Sequence, residues 1–357
     1  MGIDLTKDGD TSPTNAPETS GASEPQPRKL DPRYEPVVNL LNESAAVAGE
    51  GRFPEALEKL GAAEAALGKL PAALQHGPAG FALRAATREG RGQMAMRQGD
   101  MQAAFAQLSE AELLRQCEIA LGGRPAPLPR AVSNLNLASA SQRIGRIAEG
   151  LVANARCLEL LSTVPVDANN AVFGAAGLEA RATMLAQLGQ VAGALEAFEA
   201  ARSRAALLLE NGHPQARSLL AEILVNASRL QFQEKQVDAA MAMATEAADL
   251  AFAALEASQF KDSQAANLYV AAEMNQVAYG EAAGAFSRAE DALFRVVKLI
   301  GPNPQVVERG VAFYSRLLTL SDEVLEAGGL PREECVESLA RLRAMVPAGQ
   351  QTGAPVS

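Results

Sequence analysis

The chain has 357 residues, a formal net charge of −10, 4% aromatic residues and no tryptophan. Its acidic charge is spread without any basic run, which argues against nucleic acid as a partner, and no apolar stretch approaches a membrane span. Seventy-two of the residues are alanine, a composition that favours close-packed helices over sheets.

Residues 1–30 are rich in Ser, Thr, Pro and Gly and are expected to form a disordered N-terminal tail. They lack the apolar core of a secretory signal. Gly2 and Thr6 fit an N-myristoylation pattern only formally, with no other membrane feature beside them. Helical periodicity begins at Tyr34, breaks at Gly51 and resumes from Phe53 to about Gly68. A second hairpin turns near Gly99, and LGGRPAPLPR (121–130) separates it from a third, AVSNLNLASASQRIGRIAEGLVANARCLEL (131–160), which turns at Gly145. Further pairs turn at Gly189, Lys235 and Gly284. A last and least regular pair turns around Gly328 and Gly329, with Pro331 at a first helical position. Residues 347–357 read as a second disordered tail.

The turn positions repeat every 44 to 49 residues, and five of the six are glycine, which suits a helix C-terminus needing positive φ. Five residues after each turn stands a small residue: Ala56, Ala104, Gly150, Ala194, Ala240 and Ala289. Twelve after are Ala63, Ala111, Cys157, Ala201, Ala247 and Val296; seven before are Ser44, Gly92, Ala138, Ala182, Ser228 and Val277. Bulkier residues, from Phe53 and Met101 to Phe286, follow each turn by two. Small columns let helices approach closely and large ones fill the gaps. The pattern predicts an all-α, right-handed solenoid of seven helical hairpins over residues 31–346.

The segments GRFPEALEKLGAAEAAL, GRIAEGLVANARCLEL and GQVAGALEAFEAARSRAALL resemble the second helix of the tetratricopeptide repeat (TPR) family. The standard repeat is about 34 residues, so the longer period here resembles the long-helix variants of kinesin light chains and of bacterial regulatory proteins. The resemblance implies that the first helices line a concave face. Nine residues before the turn, four repeats carry asparagine there: Asn42, Asn136, Asn226 and Asn275. An amide offers both a donor and an acceptor to an extended main chain, and in similar family members such a column holds a peptide. The alternative is that these amides serve groups between the helices themselves. A second polar column, Arg97, Arg143, Gln187 and Gln233, with Arg229 one turn back, could engage an acidic peptide, or simply complement helix C-termini.

Catalysis finds little support. His76 and His213 lie in inter-repeat loops without ligand or triad partners, and Cys117, Cys157 and Cys335 match no metal or redox spacing. No cofactor is called for. The expectation is a cytoplasmic, non-catalytic module whose groove holds an extended segment of another protein. Self-association as a structural scaffold and a ligand-responsive sensor are the alternatives. Arginine outnumbers lysine 25 to 7, which with the alanine content suggests a GC-rich, bacterial genome.

Overall fold

All six turn positions place their residue in the left-handed region: Gly51, Gly99, Gly145, Gly189 and Gly284 have φ between 70° and 80°, and Lys235 has φ 62°. Glycine adopts this conformation without steric penalty, whereas Lys235 sits where a Cβ is uncommon. The turns close hairpins in a computed structural model that describes residues 30–165 and 167–345. The expected tails, apart from Leu30, lie outside the described residues.

Six hairpins follow one plan. They are α1 (Glu35–Gly49) with α2 (Phe53–Gly68), α4 (Pro78–Gln98) with α5 (Met101–Ala120), and α6 (Pro127–Arg143) with α7 (Ile147–Ser162). Next come α8 (Ala168–Gln187) with α9 (Val191–Glu210), α10 (Ala216–Gln233) with α11 (Val237–Ala257), and α12 (Ser263–Ala283) with α13 (Phe286–Ile300). A single short helix, α3 (Ala72–Gln75), interrupts the first connection. The seventh unit departs from the expected pair: α14 (Pro304–Leu317) ends early, α15 (Asp322–Ala327) intervenes, and α16 (Arg332–Ala344) packs back on α14. Arg332 fastens the break by donating from Nη1 to the Leu318 carbonyl (2.9 Å) and from Nη2 to that of Leu320 (2.5 Å). Pro331 stands at the N-cap of α16, one residue before the expected first helical position, and makes no side-chain capping bond.

The small columns are where the helices meet. Ala56, Ala104, Ala194, Ala240 and Ala289 are all fully buried, as are Ala63, Ala111, Cys157, Ala201, Ala247 and Val296. At Gly150 a Cβ would stand 2.7 Å from the Met184 sulfur and 3.2 Å from the Ala138 carbonyl oxygen, so at this crossing even alanine would force a shift.

Consecutive first helices pack directly on one another: α4 on α6, α6 on α8, α8 on α10, α10 on α12. Consecutive second helices are instead parted by furrows, such as the one between α9 and α11 floored by Ile223, Leu224 and Ala227 of α10. An array spaced more tightly on its first-helix side curves toward that side, so the chain is an all-α solenoid with the first helices on its concave face.

Candidate functional site: the concave groove

One stripe of each first helix, at sixteen, thirteen, nine, six and two residues before the turn, stays out of the core, except at Ala180 of α8, which is buried. In α6 it runs Pro129, Val132, Asn136, Ser139 and Arg143; in α10 it runs Leu219, Glu222, Asn226, Arg229 and Gln233; all ten are exposed or half-buried. The stripe is graded along the helix. Its start is apolar, with Leu83, Val132, Phe173, Leu219 and Leu268, and its end is polar, with Arg97, Arg143, Gln187 and Gln233 exposed.

The asparagines between these ends fall into two groups. Asn226 donates from Nδ2 to Glu179 Oε1 of α8 at 2.7 Å, and its Oδ1 accepts a long contact from Arg229 (3.4 Å). Asn275 donates to Ser228 Oγ of α10 at 3.3 Å, and Ser228 in turn lies 3.2 Å from the Tyr279 hydroxyl. Both amides therefore tie a first helix to the one before it. Asn136 is half-buried and Asn42 exposed, and among the described residues neither side chain is engaged. The column breaks at Gly90 because α4 there lies against α2: a Cβ would come within 3.2 Å of both Leu60 methyl carbons.

The polar end is also mixed. Arg97 donates to the Ala48 carbonyl (3.3 Å) and places its guanidinium 5.8 Å from the Phe53 ring, so it bridges the first two hairpins. Arg143, Gln187, Arg229 and Gln233 are exposed toward the groove.

Two carboxyls in this groove carry more chemistry than any residue the sequence singles out. Glu179 is pushed up to about 7, first by burial and then by the like charge of Glu222, while its bonds from Asn226 and Thr183 pull the other way. Glu222 is raised by burial, and Arg143, reaching over from α6, opposes that rise. Neither acid is marked in the sequence, since a glutamate on a helix reads as a solvated face until its neighbours are known.

Elsewhere, among the described residues, no group of three or more His, Cys, Asp or Glu is placed to hold a metal. No helix of the described residues is long and apolar enough to cross a membrane. Cys117 is exposed, while Cys157 and Cys335 are buried, and burial pushes the Cys157 thiol up to about 11.

Residues 211–346 match the model of a family of unknown function, DUF6483. No curated protein matches the chain. Among solved structures, the chain is similar to aspartyl phosphate phosphatase F from Bacillus subtilis, with TM-score 0.52 and 11% identity, over 90% of this chain and 97% of that one. It is similar also to a Rap protein complexed with Competence and Sporulation Factor (TM-score 0.50, 13% identity, 87% and 98% covered). A third is the apo form of RapI (TM-score 0.51, 12% identity, 86% and 97% covered). At such identities the likeness is one of fold: a helical-repeat array over nearly the whole length of each.

Proposed function

We propose that this protein is a non-catalytic interaction module of the tetratricopeptide-like, long-helix kind, whose concave groove receives an extended segment of a partner protein. The observation that carries the reading is the graded stripe: five successive first helices open on an apolar residue, α4, α6, α8 and α10 end on arginine or glutamine, and in α6 and α10 an asparagine stands between the two ends. An extended segment laid across it finds partners for its main chain and for two kinds of side chain at once. The structural neighbour captured with Competence and Sporulation Factor supports it, because there the same fold is complexed with a further molecule.

Within the groove we place the contact on hairpins two to four, where the Asn136 amide has no partner among the described residues and Arg143 is exposed. Asn226 and Asn275 contribute through the shape of the wall, since their amides are already used. Affinity capture with residues 31–346 as bait, followed by mapping of the retained segment, tests the reading. A segment whose binding survives both Asn136→Ala and Arg143→Glu would remove it. The scaffold reading keeps one observation of its own: Val324 and Val336 of the last unit stand about half exposed, at 46% and 51%. A concentration-dependent sedimentation coefficient abolished by Val336→Glu would favour it.

A further inference from the structure

We propose, resting on the groove reading above, that the groove's resident occupant is the chain's own N-terminal segment, residues 1–29. Its first ten residues lie across hairpins two and three and must leave before a partner segment enters.

The chemistry of the two surfaces agrees. The segment begins MGIDLTKDGD, and Ile3 and Leu5 are its only branched aliphatic residues. They alternate with or precede Asp4, Asp8 and Asp10. Through Glu24 the segment holds five carboxylates against the single cation Lys7. On α4 and α6 the open stripe offers the complement: Leu83 and Val132 toward one end, and Arg97 and Arg143, both exposed, toward the other. A side chain such as Leu5 gains contact at the apolar end while neighbouring carboxylates reach the guanidiniums. The C-terminal residues 346–357 contain no charged side chain and offer the arginines nothing.

The tether also fits. The segment joins the array at Leu30, just before the short 3-10 turn Pro32–Tyr34 that leads into α1, at the edge opposite the glycine turns. Neighbouring helices pack roughly 10 Å apart, and a 20-residue helix is about 30 Å long, so Arg143 lies on the order of 35 Å from that point. The twenty residues from Asp10 to Leu30 can extend to about 66 Å. A tether of this kind holds its end at an effective concentration near the millimolar range. Even a weak docking site would then be mostly occupied, yet a partner of moderate affinity could displace the segment.

The test uses a fluorescein-labelled synthetic peptide of residues 1–29, followed by anisotropy. It is titrated with the full chain and with a chain starting at Leu30, which keeps every described residue. The shorter chain should bind the peptide, and the full chain at least tenfold more weakly, because its own segment competes. Arg97→Glu with Arg143→Glu in the shorter chain should cost at least tenfold, and a peptide carrying Asp4→Arg, Asp8→Arg and Asp10→Arg should recover that loss. Should the glutamate pair fail to fold, Arg97→Gln with Arg143→Gln serves in its place and should cost several-fold. No binding to the shorter chain, equal binding to both chains, or indifference to the charge reversal would each overturn the proposal. A mapped partner segment that binds both chains alike, yet is weakened by Asn136→Ala, would overturn the resident occupant while leaving the groove as the partner site.

Discussion

The first three hairpins and the next three solve the same packing problem with different chemistry. From α8 to α12 one continuous apolar cluster runs through Ala175, Phe198, Ile223, Leu224, Leu255 and Tyr269. From α1 to α7 the apolar residues fall into four smaller clusters, one of them reaching Ala180 and Met184 of α8, and charged staples join the hairpins across the convex furrows. Thirteen residues after the turn, Glu64 reaches forward to Arg88 and Arg91 of the next hairpin, both at 2.8 Å. At the same position one repeat on, Glu112 is held by Arg130, by Asn134 (3.0 Å) and by Arg156 (2.7 Å). The device recurs once in the second region with its sign reversed, as Arg202 to Glu246 at 3.1 Å. An apolar seam accepts any neighbour of suitable shape, whereas a buried acid ringed by donors accepts only one. The staples therefore fix which hairpin follows which, while the apolar cluster supplies most of the driving force.

Breaking the comparison at its strongest point gives the largest effect. Glu112→Ala leaves Arg130, Arg156 and Asn134 facing a buried void, at about 3–5 kcal/mol, and the chemical-denaturation midpoint should fall accordingly. Burial raises the Glu112 carboxyl, but its bonds from Arg130 and Asn134 and the charges of Arg130 and Arg156 outweigh that and hold it below its ordinary value. Its contribution is thus present at neutral pH and fades as pH falls below the carboxylate range. A variant no less stable than the parent would mean that the staples carry no load. In the second region the counterpart is steric. Ala194 is fully buried between α8 and α9, so Ala194→Leu should cost about 1–3 kcal/mol through overpacking, while Ala200→Leu, on the exposed side of α9, should leave the melt unchanged.

The regions also differ in what the sequence discloses about them. Turn glycines and small columns are visible because residue size and period are local properties; Ala63, Ala111 and Ala201 announce a helix crossing wherever they lie. The staples are not, since Glu112 draws its partners from positions 130, 134 and 156, and the charge at that column changes from acid to base between repeats. The asparagine column is legible as a column but not as two groups: whether an amide is free depends on what the preceding first helix presents, and among the described residues Glu179 and Ser228 are the groups that accept. The seventh unit reads in the sequence as one more hairpin because its break at Leu318 to Leu320 is stabilised by Arg332, twelve or more residues away.

Glu179 sharpens the contrast through pH. Its folded value, pushed up to about 7, lies above that of an unfolded glutamate, so the folded chain holds this proton more tightly. The associated stability is complete below the unfolded value and is lost as pH rises through about 7. The unfolding free energy should therefore drop between pH 5 and pH 8 by an amount on the order of 1–3 kcal/mol, with the melting temperature falling in step. Glu179→Gln should flatten that slope, whereas Glu112→Gln, in the stapled region, should leave it in place. An unchanged slope in Glu179→Gln would show that another group titrates there.

The smallest effect on stability should accompany the largest on function, and the two asparagines separate them. Asn226 is bonded to a desolvated carboxyl, so Asn226→Ala removes a charge-assisted bond and leaves Glu179 short of a donor, at about 1–3 kcal/mol. Any partner affinity should then fall only as far as unfolding carries it. Asn136 has no such neighbour among the described residues, and water takes the place of its amide in the free protein. Asn136→Ala should leave the unfolding free energy within about 0.5 kcal/mol of the parent, yet strip a bound main chain of its partner and weaken a mapped segment roughly five- to a hundredfold. Measuring both quantities on each single variant makes the assignment of roles testable in one experiment. If Asn136→Ala lowers stability as much as Asn226→Ala does, the two amides share a structural task and the concave groove loses its main-chain contact.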